Sequence, residues 1–246
     1  MKSISKTSVL SIAMACVFWG CKKDNFKQPE SVITGKVVYQ GQPIGVRSNG
    51  VTLELWQPGY ALFSKVAVNL AQDGSFSAKV FNGNYLLTRL RGNGPWMDQT
   101  DTIKINLNGT ANIDVPVTPY FTLSNDVFTY NKADSTISGT FAIAQVVASK
   151  AIENITFHVS TTGIVDATNQ IAFASISVAP PANAFTAPVT LKIDIRPRMY
   201  TGGTQTTAAL LMGDILRKKY AYVRFGVKPI GVAERVYTMV KRIELP

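Results

Sequence analysis

Apolar and polar residues alternate along most of the chain from residue 31 onward. The segments VITGKVVY (32–39), VTLELW (51–56) and PVTLKIDIR (188–196) place apolar side chains at every second position. Such alternation is typical of strands with one face in a core and the other in water. Turn signals rich in Gly, Asn, Asp and Pro, such as QDG, NGN and RGNGP, interrupt the pattern. The chain is therefore expected to consist of short antiparallel strands, about seven in each half.

One segment, VPVTPYF (115–121), separates the two sets of strands. Its two prolines remove backbone donors, so it fits a short, stiff link better than a central strand. We therefore predict an all-β protein with two antiparallel β-sandwich domains in series, at residues 31–117 and 118–246. The single helix candidate is TTAALLMGDILRKK (206–219), where apolar residues recur at near-helical spacing.

The first 30 residues have the pattern of a targeting segment. Lys2 and Lys6 precede an apolar run at 9–20, which is shorter than the about 20 residues that a bilayer span needs. Cys21 follows and the chain turns polar, which resembles the lipobox of bacterial lipoproteins. We expect residues 1–20 to be a signal peptide, Cys21 to carry the lipid and residues 21–30 to form a tether. Cys16 is a rival acceptor, and a plain signal peptide with an incidental cysteine is the other alternative.

The distribution of charge and of cysteine residues argues against several kinds of function. The formal net charge is +10, but the basic residues are scattered, and the sequence shows neither a zinc-ligand spacing nor a basic helix. Nucleic-acid binding is therefore not expected, and the surplus fits solvated strand faces. The 2 Cys both lie in the leader, so the body is expected to contain no disulfide and no cysteine nucleophile.

Catalytic and metal sites are not expected in the body either. His158, the only histidine, alternates with Thr156 and Ser160 on the polar face of ITFHVS, so a surface position is expected. The sequence contains no nucleophile-elbow, metalloprotease or P-loop motif. Asp98 and Asp101 are the best local carboxylate pair for glycoside hydrolysis, but loop solvation is the favoured explanation. We therefore expect no catalytic residue, no metal and no cofactor.

Two aromatic loops are candidate ligand sites. RGNGPWMDQTD (91–101) is long for a hairpin loop and contains Trp96, a flat ring of the kind that stacks on sugars. The neighbours that could hydrogen-bond sugar hydroxyls are Arg91, Asn93 and Asp98. The favoured explanation is that Trp96 tucks against the TPYF segment and caps a core. The second loop, LWQPGY, offers the rings of Trp56 and Tyr60.

The stretch DGSFSAKVFNGNYLL (73–87) is the clearest local motif. Asp73 and Gly74 form a tight-turn pair before an alternating strand. With GKVVYQGQPIGVRSNGVTLELW ahead of it, the stretch resembles the carboxypeptidase-regulatory-like and transthyretin-like β-sandwich. It is therefore interpreted as a scaffold corner. A calcium site at Asp73 is the less favoured alternative, because the other acidic ligands are missing.

The body of the chain resembles an uncharacterised family of Bacteroidetes surface lipoproteins with a domain of unknown function. The segments that carry the resemblance are GQPIGVRSNGVTLELWQPGY, QDGSFSAKVFNGNY, GNGPW, DTIKI and VPVTPYF. The resemblance implies a transthyretin-like (prealbumin-like) domain at 31–117 with its own second sandwich at 118–246. Within that second sandwich, YAYVRFGV resembles a strand of immunoglobulin and fibronectin type III domains.

Genes of this family commonly lie beside SusC/SusD-like glycan importers, which implies a function. The expected protein is a non-enzymatic, monomeric lipoprotein facing outward from the outer membrane, which binds glycan or contacts the importer. A structural or adhesive surface protein built from spacer sandwiches is the alternative. A hydrolase with an unrecognised site is the third possibility.

Overall fold

The computed structural model describes residues 27–59, 61, 63–170, 176–196 and 207–246. Two groups of sheets follow one another along the chain. The strands of the first group are β1 (Ser31–Tyr39), β2 (Gln42–Pro43), β3 (Thr52–Trp56), β4 (Lys65–Asn69), β5 (Ser75–Val80), β6 (Gly83–Arg89), β7 (Ile103–Leu107), β8 (Thr110–Asn112) and β9 (Val115–Pro116). Residues 27–30, the described part of the expected tether, contain neither helix nor strand.

The N-terminal domain packs two sheets against each other. One sheet is built on β1, which pairs with β2 and β5 in antiparallel fashion and with β8 and β9 in parallel. The other sheet has the order β4-β3-β6-β7 and is antiparallel throughout. Apolar residues at alternate positions meet between the sheets, as the two-residue period requires. The most buried include Ile33, Val37, Leu53, Leu55 and Leu87.

The turn at Asp73 and Gly74 is a corner of this scaffold. Asp73 Oδ1 accepts hydrogen bonds from the backbone N and the Oγ of Ser75, at 3.0 and 2.6 Å. Gly74 has a φ of +78°, and a Cβ there would lie 2.4 Å from the carbonyl oxygen of Ile44. Glycine is the residue that satisfies both conditions. The structure thus agrees with the interpretation of this stretch as a corner.

The C-terminal domain also contains two sheets. Its strands are β10 (Phe121–Asn131), β11 (Thr136–Gln145), β12 (Ile152–Ser160), β13 (Ile176–Val178), β14 (Val189–Asp194), β15 (Tyr220–Pro229), β16 (Val236–Tyr237) and β17 (Lys241–Glu244). One sheet has the order β10-β11-β14, and the other has the order β13-β12-β15-β16 with β17 also on β15. These pairs are antiparallel. The helix α1 (Thr207–Lys218) precedes β15 and confirms the helix predicted at 206–219.

The core of the C-terminal domain is aromatic. The Phe225 ring stacks on Phe141 with 4.2 Å between centroids, and its centroid lies 4.9 Å from Phe128 and 4.8 Å from Phe157. A Cβ at Gly139 would lie 2.5 Å from the Phe225 ring. The four rings therefore fill the space between the sheets, and only a glycine fits opposite them.

The change from one domain to the other is shorter than the proline-containing segment suggested. Val115 and Pro116 form β9 on β1, and the Val117 N donates to the Val38 carbonyl at 2.9 Å. Phe121 already begins β10. The predicted fold class is confirmed: a nearly all-β protein whose two domains consist mainly of antiparallel sheets. Among the described residues, no helix has the length and apolar character to span a bilayer.

Candidate functional site

A groove of about 260 Å³ lies where the two domains meet. The turn between β1 and β2 forms one wall, and β10 and β16 form the other. The Tyr237 N donates to the Gly45 carbonyl at 2.9 Å and joins the walls. The polar side chains and rings that line the groove are Tyr39, Gln40, Gln42, Thr122, Ser124 and Tyr237.

Beside the groove, Arg224 on β15 lies buried between the two domains and binds to both. It is 0% exposed, and its guanidinium donates to four backbone carbonyls. Two are in the N-terminal domain, Val46 at 3.2 Å and Gln72 at 3.1 Å, and two in the C-terminal domain, Val165 at 3.0 Å and Thr238 at 2.9 Å. Burial lowers the pKa of Arg224 to about 10, so the side chain stays charged at neutral pH.

The Tyr237 ring connects this buried cation to the groove. The Arg224 Cζ lies 4.4 Å from the ring centroid, within the range of a cation–π contact. The Tyr237 hydroxyl accepts from the Ala167 N at 3.3 Å. Burial raises the pKa of Tyr237, so the phenol is neutral at physiological pH. One wall of the groove is therefore held in place by buried contacts on its far side.

The loop after β12 reaches across to the N-terminal domain through Asp166. This residue is 0% exposed, and its Oδ2 accepts from the Ser48 N at 3.2 Å across the boundary. Its Oδ1 accepts from the backbone N and Oγ1 of Thr168 at 2.9 and 2.7 Å, and from the Asn169 N at 2.9 Å. Burial acts to raise the pKa of Asp166, but these hydrogen bonds outweigh it and hold the pKa below its ordinary value.

Two further side-chain contacts join the domains. Gln72 donates to the Gly163 carbonyl at 2.5 Å and accepts from the Val165 N at 3.1 Å. Arg47 donates to both carboxylate oxygens of Glu234, from Nη2 at 2.5 Å and from Nε at 3.1 Å. This bidentate geometry is the strong form of the ion pair. We call the residues that make these contacts between the domains the polar seal: the buried Asp166, Arg224 and Glu234 and the half-buried Arg47 and Gln72.

The structure corrects the expectation that His158 is a surface residue. It is 2% exposed, and its Nδ1 is in hydrogen-bond contact with the Gln170 Oε1. Burial lowers the pKa of His158 to about 4. The polar face of β12 is covered because the 161–170 loop folds back and Tyr237 packs 5.7 Å from the imidazole. Alternation shows which residues share a strand face, but it cannot show what lies on that face.

Trp96, the proposed stacking ring, lies in the core. It is 4% exposed, and a Cβ on Gly94 would lie 2.1 Å from the indole. Its backbone forms a bridge with Pro119. This agrees with the favoured explanation, in which Trp96 tucks against the TPYF segment and caps a core. In this conformation, neither face of the indole is open to a sugar.

The polar residues of the same loop hold the loop together. Asn93 Oδ1 accepts from the Thr52 N at 2.6 Å. Asp98 Oδ1 accepts from the Gly92 N at 2.7 Å, and its Oδ2 lies 3.9 Å from the Arg91 Nε. Arg91 and Asp98 are exposed. A role of these residues in ligand contact stays a prediction.

Asp101, the other half of the suggested carboxylate pair, has a structural partner. It accepts from the Nη1 of the buried Arg89 at 2.9 Å. Arg89 also donates to the Pro116 carbonyl at 2.6 Å, so the pair anchors β9. Across the described ranges, three or more His, Cys, Asp or Glu residues nowhere come together as metal ligands.

Trp56 belongs to an aromatic pair on the surface. Its ring stacks on Phe63 with 5.0 Å between centroids, and its Nε1 donates to the Thr88 Oγ1 at 3.2 Å. Phe63 is 55% exposed. Tyr60, the second ring predicted in this loop, and the lipidation candidate Cys21 lie outside the described residues. Their roles stay predictions.

The groove could not be predicted from the sequence. Its walls come from segments 39–45, 122–124 and 236–237, which are far apart in the chain. The only local signal is the QGQP turn between β1 and β2. Amides and hydroxyls beside the Tyr39 ring are suited to an uncharged ligand that forms many hydrogen bonds.

Comparison with protein families gives two matches that together cover most of the chain. Residues 31–118 match the model described as "Protein of unknown function (DUF3823) N-terminal domain". Residues 121–242 match the model described as "Domain of unknown function (DUF3823_C)". No match was found among curated proteins.

Solved structures are similar over both domains. The crystal structure of a DUF3823 family protein from Parabacteroides merdae ATCC 43184 is 30% identical, covers 89% of this chain and 100% of its own, and has a TM-score of 0.74. One from Bacteroides ovatus ATCC 8483 is 33% identical, with 88% and 100% covered and a TM-score of 0.73. A third, from Bacteroides uniformis ATCC 8492, is named a candidate carbohydrate binding protein and is 18% identical, with 88% and 100% covered and a TM-score of 0.67. This chain belongs to the DUF3823 family.

Proposed function

We propose that this protein is a non-enzymatic surface lipoprotein that binds carbohydrate in the groove between its domains and serves a glycan importer. The groove is the observation that carries the proposal. Its amides and hydroxyls lie beside the half-buried ring of Tyr39, and proteins bind sugars through this combination of hydrogen bonds and aromatic faces. Tyr237 is 3% exposed and supports the wall from behind. The groove of about 260 Å³ lies just below the about 300–1,000 Å³ that is common for small-molecule sites, so it suits a short sugar segment and not a long one.

A structural neighbour with the same fold is named for carbohydrate binding. The Bacteroides uniformis protein named a candidate carbohydrate binding protein has the same two-domain fold over 88% of this chain. At 18% identity, this likeness concerns the fold alone. The extension of carbohydrate binding to this chain therefore rests on the residues of the groove.

The side chains best suited to catalysis are engaged elsewhere, which supports binding without turnover. Asp98 accepts from the Gly92 N and Asp101 is paired with Arg89. His158 is 2% exposed, so its imidazole does not reach a substrate in the groove.

A matched pair of variants tests the binding site. In soluble protein from residue 25, Ser124→Arg places a long side chain in the groove, and Thr129→Arg places the same side chain on β10 outside it. On a glycan array followed by calorimetry, we expect the unchanged protein and Thr129→Arg to bind the same glycan with equal affinity. Ser124→Arg is expected to weaken that binding by about tenfold or more, about 1.4 kcal/mol. A protein that binds no glycan, or equal affinity in both variants, would overturn the proposal.

Membrane attachment and the importer are tested in cells. We expect Cys21→Ser to move the protein from the membrane fraction to the soluble fraction, while Cys16→Ser leaves it membrane-bound. A pull-down through a C-terminal tag is expected to recover a SusC/SusD-like pair from cells with intact Cys21. Retention of Cys21→Ser in the membrane would contradict lipidation at this position.

A structural role is the second candidate function, and the polar seal favours it. Buried contacts between the domains fix their relative orientation, which a spacer or adhesive unit needs. Ordered oligomers in light scattering, without any glycan binding, would support this role. A monomer that binds glycan would refute it.

A further inference from the structure

The hairpin that forms one wall of the groove has an uncommon turn residue. Gln40 and Gly41 form the two-residue loop between the paired residues Tyr39 and Gln42. Their φ values are 50° and 77°, which corresponds to a type I′ turn. Glycine is the ordinary residue at the second position, whereas Asn, Asp and Gly are favoured at the first. Gln40 is a long, non-glycine residue in the left-handed region, which is a strained conformation.

This conformation places the Gln40 amide at the rim of the groove. The side chain is exposed, and its Nε2 lies 3.3 Å from the Tyr39 hydroxyl, to which it donates. Both residues line the groove. The amide offers a carbonyl oxygen and two N–H donors, and the phenol can donate and accept. Two such groups side by side match two neighbouring hydroxyls of a sugar ring.

The walls of the groove carry no charge. Its lining residues all belong to the described part of the chain, and none is Lys, Arg, Asp, Glu or His. The whole protein has a net charge of +10, which attracts acidic glycans over a distance. A carboxylate or sulfate that enters the groove loses water without gaining a cation, and this desolvation outweighs the long-range attraction.

We infer that the groove binds a neutral sugar through two adjacent hydroxyls, and that Gln40 is a specificity-determining residue held in a strained turn to present its amide. This inference rests on the proposed function of the groove as a carbohydrate site. If Gln40 has a purely structural role, its replacement by glycine raises the stability of the protein and leaves ligand affinity unchanged. If Gln40 binds the ligand, the same replacement raises the stability of the protein and lowers its affinity for the ligand.

Gln40→Gly separates these two cases, and Lys219→Gly is the matched control. Lys219 is also a long, exposed residue with positive φ, 60°, but it lies after α1 and does not line the groove. Thermal unfolding without ligand is expected to show a melting temperature about 2–4 °C higher for both variants, because strain is relieved in both. The probes for calorimetry are the neutral maltotriose, cellotriose, xylotriose and mannotriose, and the acidic trigalacturonic acid.

We expect the unchanged protein to bind at least one neutral probe and not trigalacturonic acid. Gln40→Gly is expected to weaken that binding by about 3- to 10-fold, the value of one hydrogen bond, while Lys219→Gly keeps full affinity. If a neutral probe binds but Gln40→Gly has unchanged affinity, or if the acidic probe binds better, this inference is wrong and the carbohydrate site stands. If none of these probes and no array glycan binds the unchanged protein, the proposed function fails and the inference fails with it.

Discussion

The polar seal and the groove lie side by side at one domain boundary and use their polar side chains in opposite ways. In the seal, Arg224 and Asp166 are fully buried, and their donors and acceptors meet partners from both domains. In the groove, Gln40, Gln42 and Ser124 are exposed to solvent. Buried polar groups need partners inside the protein, whereas exposed groups can exchange water for a ligand. The comparison shows how a boundary can be rigid and still offer a binding surface beside the rigid part.

The largest expected effect comes from breaking the seal at Arg224. Arg224→Met leaves four carbonyls, three of them in buried contacts, without this donor. We therefore expect the free energy of unfolding to fall by about 3 kcal/mol or more in urea titrations. Arg242→Met is the matched control, because Arg242 also lies over a tyrosine, 4.2 Å from the Tyr220 centroid, but has a 49% exposed side chain. Its loss is expected to stay below about 1 kcal/mol. Equal losses would show that the seal does not stabilise the boundary.

The second effect is a pH dependence from His158. Its folded-state pKa of about 4 lies below the ordinary value of 6.5, so the folded protein binds fewer protons than the unfolded chain. The contribution of neutral His158 to the free energy of unfolding is therefore fully present above pH 6.5. It is lost as the pH falls from 6.5 to 4, and the loss amounts to up to about 3 kcal/mol. Urea unfolding at pH 7 and pH 4.5 is expected to show a smaller drop for His158→Gln, which cannot take up the proton. The same drop in both proteins would contradict the buried, neutral state.

An intermediate effect is expected at Gly45, which touches both regions. A Cβ there would lie 2.4 Å from the Tyr237 carbonyl oxygen and 2.9 Å from the Arg224 Nη2. Gly45→Ala is therefore expected to cost about 1–3 kcal/mol in stability and also to weaken glycan binding, because it displaces a groove wall. Gly213→Ala in α1, where nothing lies within 4 Å of the added Cβ, is expected to stabilise by up to about 1 kcal/mol. If Gly45→Ala leaves the free energy of unfolding unchanged, the two domains can move apart at this contact with little cost.

The smallest change in stability is expected inside the groove. Gln42→Ala removes an exposed amide, so the free energy of unfolding should change by no more than about 0.5 kcal/mol. Glycan affinity, measured by calorimetry, is expected to fall, because the lost amide faces the ligand. A destabilisation as large as that of Arg224→Met would instead assign Gln42 to the seal.

The strands, the corner at Asp73 and Gly74 and the helix α1 could be predicted because their causes are local. A two-residue period, a side chain that bonds its own turn and a near-helical spacing are all visible within a few residues of sequence. The placements of Trp96 and His158 could not be fixed in this way. The sequence allows Trp96 to contact a ligand or to fill a core, and its burial together with the bridge to Pro119 distinguishes the two. His158 was expected on the surface, because the sequence of its strand does not indicate that the 161–170 loop covers it.

The amino-acid sequence alone therefore determined the nearly all-β, two-domain architecture and the turn chemistry of this protein. Only the tertiary structure decided which polar residues are buried and where a ligand could bind. The Arg224 guanidinium meets the Val46 carbonyl across 178 positions of sequence, and the groove combines three distant segments. Local patterns reflect hydrogen bonding and periodicity within one strand or turn, whereas burial and cavities depend on how two folded domains pack against each other.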